Sequence, residues 1–203
     1  MKKNDYGGVL IAFDGPNGVG KSTLIDGVKS ELLDHSLSVF ITKEPTETPL
    51  GRFVREISES LNGEELACLV AADRYQHLKA DIIPELGKDK IVITDRYVLS
   101  SLILQCMDGV EEDFVLAVNG KVVLPDIQIS VRASVEAIQA RLNERNALTR
   151  FERGQRSTDE LSFMGKGEAA LRELGVSILS VDNSGNLQGN ISLIVDEILR
   201  AKS

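Results

Sequence analysis

Short apolar runs alternate with stretches of helical period along the whole chain. "GVLIAF" (8–13) reads as strand 1, and a glycine-rich turn follows it directly. From Ser22 to about Leu33, the residues Leu24, Ile25, Val28, Leu32 and Leu33 share one side of a helix. "SVFIT" (38–42) is strand 2, and "EPTETPLG" (44–51) is a loop punctuated by Pro45 and Pro49. A short helix is predicted over 52–60 and a longer one over 64–86, bent near Pro84. "KIVITD" (90–95) is a nearly continuous apolar strand ended by an aspartate, as suits a parallel strand covered on both faces. A helix over 99–107 follows. "PDIQISV" (125–131) is strand 4, with Pro125 at its start. Ser134 is the cap of a helix reaching about Asn143. Between Arg145 and Arg156 the period breaks, and the stretch reads as a mobile charged segment. Ser157 or Thr158 starts the next helix, "VSILSVD" (176–182) is strand 5, and a helix carrying Leu187, Ile191, Ile194, Val195 and Ile198 closes the chain.

Strands alternating with helices imply an α/β fold, a mostly parallel sheet with helices on both faces. Ligands of such sheets gather beyond the carboxyl ends of the strands. Asp14, Lys43, Asp95 and Asp182 fall at those ends. Periodicity does not supply the strand order. No internal repeat or linker divides the chain, so one domain over 1–203 is expected.

Composition narrows the ligand class. A net charge of -8 over 203 residues, with no basic tail, argues against a nucleic acid partner. No apolar run approaches the roughly 20 residues that span a bilayer. No membrane association and a cytoplasmic location are therefore expected. Cys68 and Cys106 are expected to be buried free thiols, and without C-x-x-C or H-E-x-x-H no structural zinc is expected.

The turn after strand 1 satisfies G-x-x-x-x-G-K-[ST]. Its text is Gly15, Pro16, Asn17, Gly18, Val19, Gly20, Lys21, Ser22. Successive backbone N–H groups and the start of a helix can cradle an anion there. Lys21 would reach the outer phosphates of a bound nucleotide, the Ser22 hydroxyl would ligate Mg2+, and Thr23 would touch the inner phosphate. The string N-K-x-D of base-reading switches is missing. A small kinase then needs a second anion site, for which Arg74, Arg96 and Lys43 are the candidates. Asp95, at a strand tip, could hold the metal or its water, or could cap the next helix.

Several strings together resemble the thymidylate kinase family: "FDGPNGVGKST", "TKEPTETPLG", "LVAADRYQH", "IIPEL", "VITDRYVLSS" with Gln105, "PDIQISV", and "RLNERNALTRFE" with Phe163 after it. They span residues 11 to about 164. The resemblance implies a P-loop kinase fold, with a five-stranded parallel sheet in the order 2-3-1-4-5 and a mobile lid at about 145–157. It implies ATP as phosphoryl donor, Mg2+, dTMP as acceptor and a homodimer. Asp14 would lie beside the acceptor phosphate, Arg96 would contact that phosphate, and Arg74 would approach the thymine edge. Glu44 and Pro45 would shape the acceptor site, and Val70 and Gln105 would line the nucleoside pocket. The phosphate-binding turn carries no basic residue from Pro16 to Val19, so the family pattern puts catalytic arginines in the lid. Arg153 is the first choice, with Arg150 and Arg156 as rivals. Arg141 and Arg145 would face the adenine or the ATP phosphates, or be structural.

Departures cluster around nucleoside recognition. Val70 stands where the family has a stacking Phe, and Ile103 and Leu104 replace the usual A-Y. Lys43 stands for a common Arg, and "EPTET" for E-P-G-G-T. "MGKGEAA" follows Phe163 in place of the V-R and Tyr of the family. Two alternatives stay open. One is a kinase for another nucleoside monophosphate, or for a deoxynucleoside with Glu44 as base. The other is an ATP-binding regulatory protein with weak or no turnover.

Overall fold

The structure is a computed structural model, and it describes residues 1–143 and 156–202. β1 (Val9–Asp14) is buried along its whole length, so the apolar run needs cover on both faces. It lies at the centre of a five-stranded parallel sheet in the order β2-β3-β1-β4-β5, as the family resemblance implies. β2 (Val39–Lys43) and β5 (Ser177–Asp182) are the edges, while β3 (Ile91–Asp95) and β4 (Ile127–Arg132) flank β1. Alternate residues of β1 feed two cores. Val9, Ile11 and Phe13 pack with α1 (Lys21–Asp34), α7 (Val135–Asn143) and α9 (Leu187–Lys202). Leu10 and Ala12 pack on the other face, against α5 (Val98–Met107) and α8 (Arg156–Glu173) among others.

Register brings the strand ends level. Lys43 pairs with Asp95, and Phe13 with Asp95 from the other side. Asp14, Lys43, Asp95 and Asp182 are the last residues of their strands. The functional groups therefore collect along one edge of the sheet, where parallel α/β folds bind ligands.

The elements differ from the predicted ones in three places. The first short helix starts earlier, as α2 (Pro49–Ile57), inside the stretch read as loop. Thr48 caps it, accepting from the Gly51 N–H at 3.1 Å, and Pro49 takes a first-turn position that needs no donor. The long helix is three joined pieces: α3 (Gly63–His77), a π turn (Leu78–Ile82) and α4 (Ile83–Leu86). The wide turn precedes Pro84, whose ring and missing N–H disturb the ordinary ladder. A helix that the period did not reveal, α6 (Glu112–Val118), is only seven residues long. Both cysteines are free, as expected, but neither is buried: Cys68 is exposed on α3 and Cys106 is half-buried on α5. The segment expected as a lid falls outside the described residues up to 155, and α8 begins at Arg156.

Candidate active site

The glycine-rich turn between β1 and α1 packs its backbone against the sheet edge. At Gly15 (φ 155°) an added Cβ would stand 2.2 Å from the Val131 carbonyl, so only glycine fits there. Gly20 holds φ 95° at the N-cap of α1. Arg141 ties the turn from above, donating to the Val19 carbonyl at 2.9 Å and the Asn183 carbonyl at 2.8 Å. Asn183 also donates to Val19 O, at 3.0 Å. Arg141 therefore has a structural part in holding the turn.

Lys21 is buried and curls back on its own turn. Its Nζ donates to the Gly15 carbonyl at 2.8 Å and the Pro16 carbonyl at 3.2 Å. Burial, helped by the nearby Arg96 charge, lowers its pKa to about 8. Ser22 and Thr23 are exposed on the first turn of α1. The Ser22 hydroxyl lies 3.5 Å from Asp95 Oδ2. Asp95 Oδ1 is buried and has no hydrogen-bond partner. The position before α5 is taken by Tyr97 without a side-chain cap, so Asp95 is not a cap. A buried carboxylate oxygen without a donor, beside an exposed hydroxyl, suits a hard divalent cation such as Mg2+. These groups line a polar cavity of about 290 Å3, together with Asn17, Lys43, Glu44 and Arg96.

A second cavity, of about 300 Å3, opens on the other side of Arg96. Val54, Leu66, Val70 and Leu104 form apolar walls, and Arg74, Ser101 and Gln105 add polar groups. Gln105 is buried and its Oε1 accepts no hydrogen bond. Arg96 holds φ 75°, a conformation uncommon for a residue with a side chain, and its N–H donates to Phe13 O at 2.8 Å. Its guanidinium donates to Ser100 Oγ at 2.9 Å and Asn17 Oδ1 at 2.6 Å. Asn17, Lys43, Glu44 and Arg96 line both cavities.

The loop after β2 is pinned to α3 at alternate residues. Thr42 Oγ1 is 2.6 Å from His77 Nε2. Glu44 Oε1 is 3.1 Å from His77 Nδ1, so the carboxylate accepts and Nδ1 carries the proton. Thr46 donates to Asp73 through its N–H at 2.8 Å and its hydroxyl at 2.6 Å. Thr48 donates to Gln76 Oε1 at 3.1 Å. The side chains of "EPTET" are therefore used: Thr46 anchors the loop, and Glu47 pairs with Lys43 at 2.7 Å. Arg55, from α2, donates to the Pro45 carbonyl at 2.6 Å.

Three of the expected site residues are engaged inside the protein. Arg74 is 1 % exposed, and its fork is used inside the protein. Nε donates to Glu44 Oε2 at 2.8 Å, Nη1 to Ser101 Oγ at 3.0 Å and Asn119 Oδ1 at 2.6 Å, and Nη2 to Tyr97 O at 3.1 Å. Nη2 is also 2.8 Å from Glu44 Oε2, and the fork lies over the Tyr97 ring. It borders the second cavity without a spare donor for a base edge. Glu44 is likewise committed, to Arg74 and His77, so it is no free base for a hydroxyl. Asp14 is fully buried under the floor and lines neither cavity. It accepts from the Tyr97 N–H at 3.1 Å, Gln128 Nε2 at 3.0 Å and the Ser100 hydroxyl. Burial raises its pKa, against the pull of those donors. Its carboxylate is held by these three donors beneath Arg96 and Ser100.

Arg145, Arg150 and Arg153 lie outside the described residues, as does the side chain of Arg156. Pro45 and Val70 border the second cavity. Sequence reasoning missed Ser100, Asn119, His77, Asp73, Gln128 and Arg55. The first hint available was Ser100, a hydroxyl four residues after Arg96 in a mostly apolar helix.

Comparison with known proteins shows the family. The family model described as thymidylate kinase matches residues 13–186. A probable thymidylate kinase of Caldivirga maquilingensis is 37 % identical over 149 residues, covering 71 % of this chain and 73 % of the relative. A probable thymidylate kinase of Pyrococcus horikoshii is 34 % identical, covering 72 % of this chain and 75 % of the relative. A thymidylate kinase of Acinetobacter baumannii is 33 % identical, with 78 % and 81 % covered. The solved thymidylate kinase of Candida albicans superposes with a TM-score of 0.73 at 20 % identity, over 97 % of this chain and 94 % of its own.

Proposed function

Because the chain belongs to the thymidylate kinase family, we propose that it transfers the γ-phosphoryl group of ATP to dTMP, giving ADP and dTDP. The observation that carries the reading is the pair of cavities sharing Arg96 and Asn17: a polar one at the glycine-rich turn and a half-apolar one beyond it. A nucleotide donor in the first and a nucleotide acceptor in the second would present their phosphates to each other across Arg96.

Phosphoryl transfer asks the protein mainly for positioning and charge. The turn N–H groups and α1 would hold the donor phosphates. Lys21 would leave the Gly15 and Pro16 carbonyls for the outer phosphates, exchanging neutral acceptors for charged ones. Ser22 and Asp95 would hold Mg2+, which when bound neutralises phosphate charge. Arg96 would hold the acceptor phosphate, with Lys43 turning from Glu47 to assist. The remaining positive charge would come from the lid expected at 145–157, with Arg153 first and Arg150 and Arg156 next. A homodimer in the cytoplasm completes the proposal and rests on the family resemblance. Among the described residues no helix is long and apolar enough to cross a membrane.

The deoxynucleoside alternative needs a carboxylate base near the end of β2. Glu44 is the candidate, and its ion pair with Arg74 counts against that role. A coupled assay across dTMP, dUMP, dCMP, dGMP and thymidine tests the proposal. dTMP should be the best acceptor. Equal or better turnover of another monophosphate overturns the base assignment, and turnover of thymidine without dTMP overturns the monophosphate assignment.

A further inference from the structure

Arg96 and Arg74 border the same cavity but are held differently. A guanidinium has five N–H groups. In Arg74 every nitrogen is engaged by buried partners. In Arg96 one hydrogen of Nη1 goes to Ser100 and one of Nη2 goes to Asn17, leaving Nε–H and one hydrogen on each Nη. Arg96 is thus clamped at two points with donors to spare. The Ser100 clamp is rigid, because that hydroxyl donates in turn to the buried Asp14. The Asn17 clamp is different. Asn17 belongs to the turn that surrounds the other cavity, and the adjacent Pro16 carbonyl accepts from Lys21. Because a guanidinium cannot accept, the contact also fixes which way the Asn17 amide points.

We propose that Asn17 is a positioning residue: its side-chain carbonyl aims the Arg96 fork at the acceptor phosphate and transmits the state of the donor-binding turn to it. The proposal rests on Arg96 holding the acceptor phosphate. When donor phosphates enter the turn and draw Lys21 off the Gly15 and Pro16 carbonyls, the backbone beside Asn17 is the part that adjusts. Arg96 is the group bonded to that side chain. Occupation of one site then changes affinity at the other, and the effect is reciprocal.

The test is equilibrium binding of dTMP by calorimetry, with and without a non-hydrolysable ATP analogue. It uses the full chain as wild type, Asn17→Ala and Asn17→Asp, with melting temperatures recorded to verify folding. Loss of one hydrogen bond to a charged group predicts about tenfold weaker dTMP binding in Asn17→Ala. Affinity for the ATP analogue should change much less, and the analogue should no longer alter dTMP affinity. Asn17→Asp keeps an oxygen acceptor and should regain much of the lost dTMP affinity. The proposal is overturned if Asn17→Ala leaves dTMP binding unchanged. It is equally overturned if the variant weakens both nucleotides alike, since the side chain would then only shape the turn, or if Asn17→Asp behaves like Asn17→Ala. Should the wild type prefer another monophosphate, the same series run with that ligand still decides the role of Asn17, because the contact addresses the phosphate and not the base.

Discussion

Replacing Arg74 with methionine separates a structural fork from a base-reading one. In the structure the fork is buried with the Glu44 carboxylate, whose side chain is 5 % exposed. Removing the cation leaves that carboxylate with His77 alone, and removing one partner of a buried pair costs about 3–5 kcal/mol. Asn119 Oδ1, Ser101 Oγ and the Tyr97 carbonyl also lose a donor. Each orphaned group adds about 1 kcal/mol, partly offset by water from the adjoining cavity and by the apolar stem of methionine. A total near 4 kcal/mol is a large share of the ~5–15 kcal/mol that holds a domain together. With a urea slope of about 2 kcal/mol per M, the unfolding midpoint should fall by about 2 M. Adding Glu44→Gln removes the stranded charge, so the double variant should recover about half of the loss. The assay is urea unfolding of the wild type, both single variants and the double variant, followed by far-UV circular dichroism. A midpoint shift under about 0.5 M in Arg74→Met, with a sharp loss of dTMP affinity, would refute the reasoning and return Arg74 to the base edge.

Three further predictions concern the donor side. The folded pKa of Lys21, about 8, lies below its ordinary 10.5, so the native state loses that proton first. Below about pH 8 the buried charge is a standing penalty, and stability rises with pH from about 8 to 10.5 as the unfolded chain alone retains the proton. Phosphates favour the charged form, so affinity for a non-hydrolysable ATP analogue should fall above about pH 8, by at most about tenfold per pH unit. Lys21→Met should bind weakly with a flat profile over that range, and a flat wild-type profile would count against the switch of Lys21 from turn to phosphate. Asp95→Asn removes the buried carboxylate charge beside Ser22, so half-saturation of activity by Mg2+ should rise by about 10–100-fold; an unchanged Mg2+ titration would remove Asp95 from the metal site.

The donor half of the site was legible because its parts are local. Gly15 to Ser22 are contiguous, and the turn, the helix start and the lysine all follow from one string. Asp95 was legible as a strand tip, but whether it capped the next helix or kept an oxygen free was not, and in the structure its Oδ1 has no partner while Tyr97 stands before α5. The acceptor half was harder. Arg74 and Glu44 are thirty residues apart, and no periodicity says that an arginine on a helix turns inward. Asp14 at the end of a strand looks available in the sequence, but the Tyr97 N–H, just before α5, and the Ser100 hydroxyl within it cover the carboxylate. The early start of α2 was visible in Thr48 and Pro49, which together form a helix-start signal that the two prolines obscured.

By itself the sequence determined the class of fold, the strands and most helices, and the phosphate-binding turn. These depend on hydrophobic period and on conformations that glycine alone adopts, which are properties of neighbouring residues. The tertiary structure decided which polar groups remain free to meet a ligand. Arg74 and Arg96 are the same residue type in similarly suggestive strings. Packing satisfies the first completely, against Glu44, Ser101, Asn119 and Tyr97, and leaves the second with unspent donors between Ser100 and Asn17. A donor's availability depends on every group within about 3 Å of it, and those groups arrive from elements far apart in the chain.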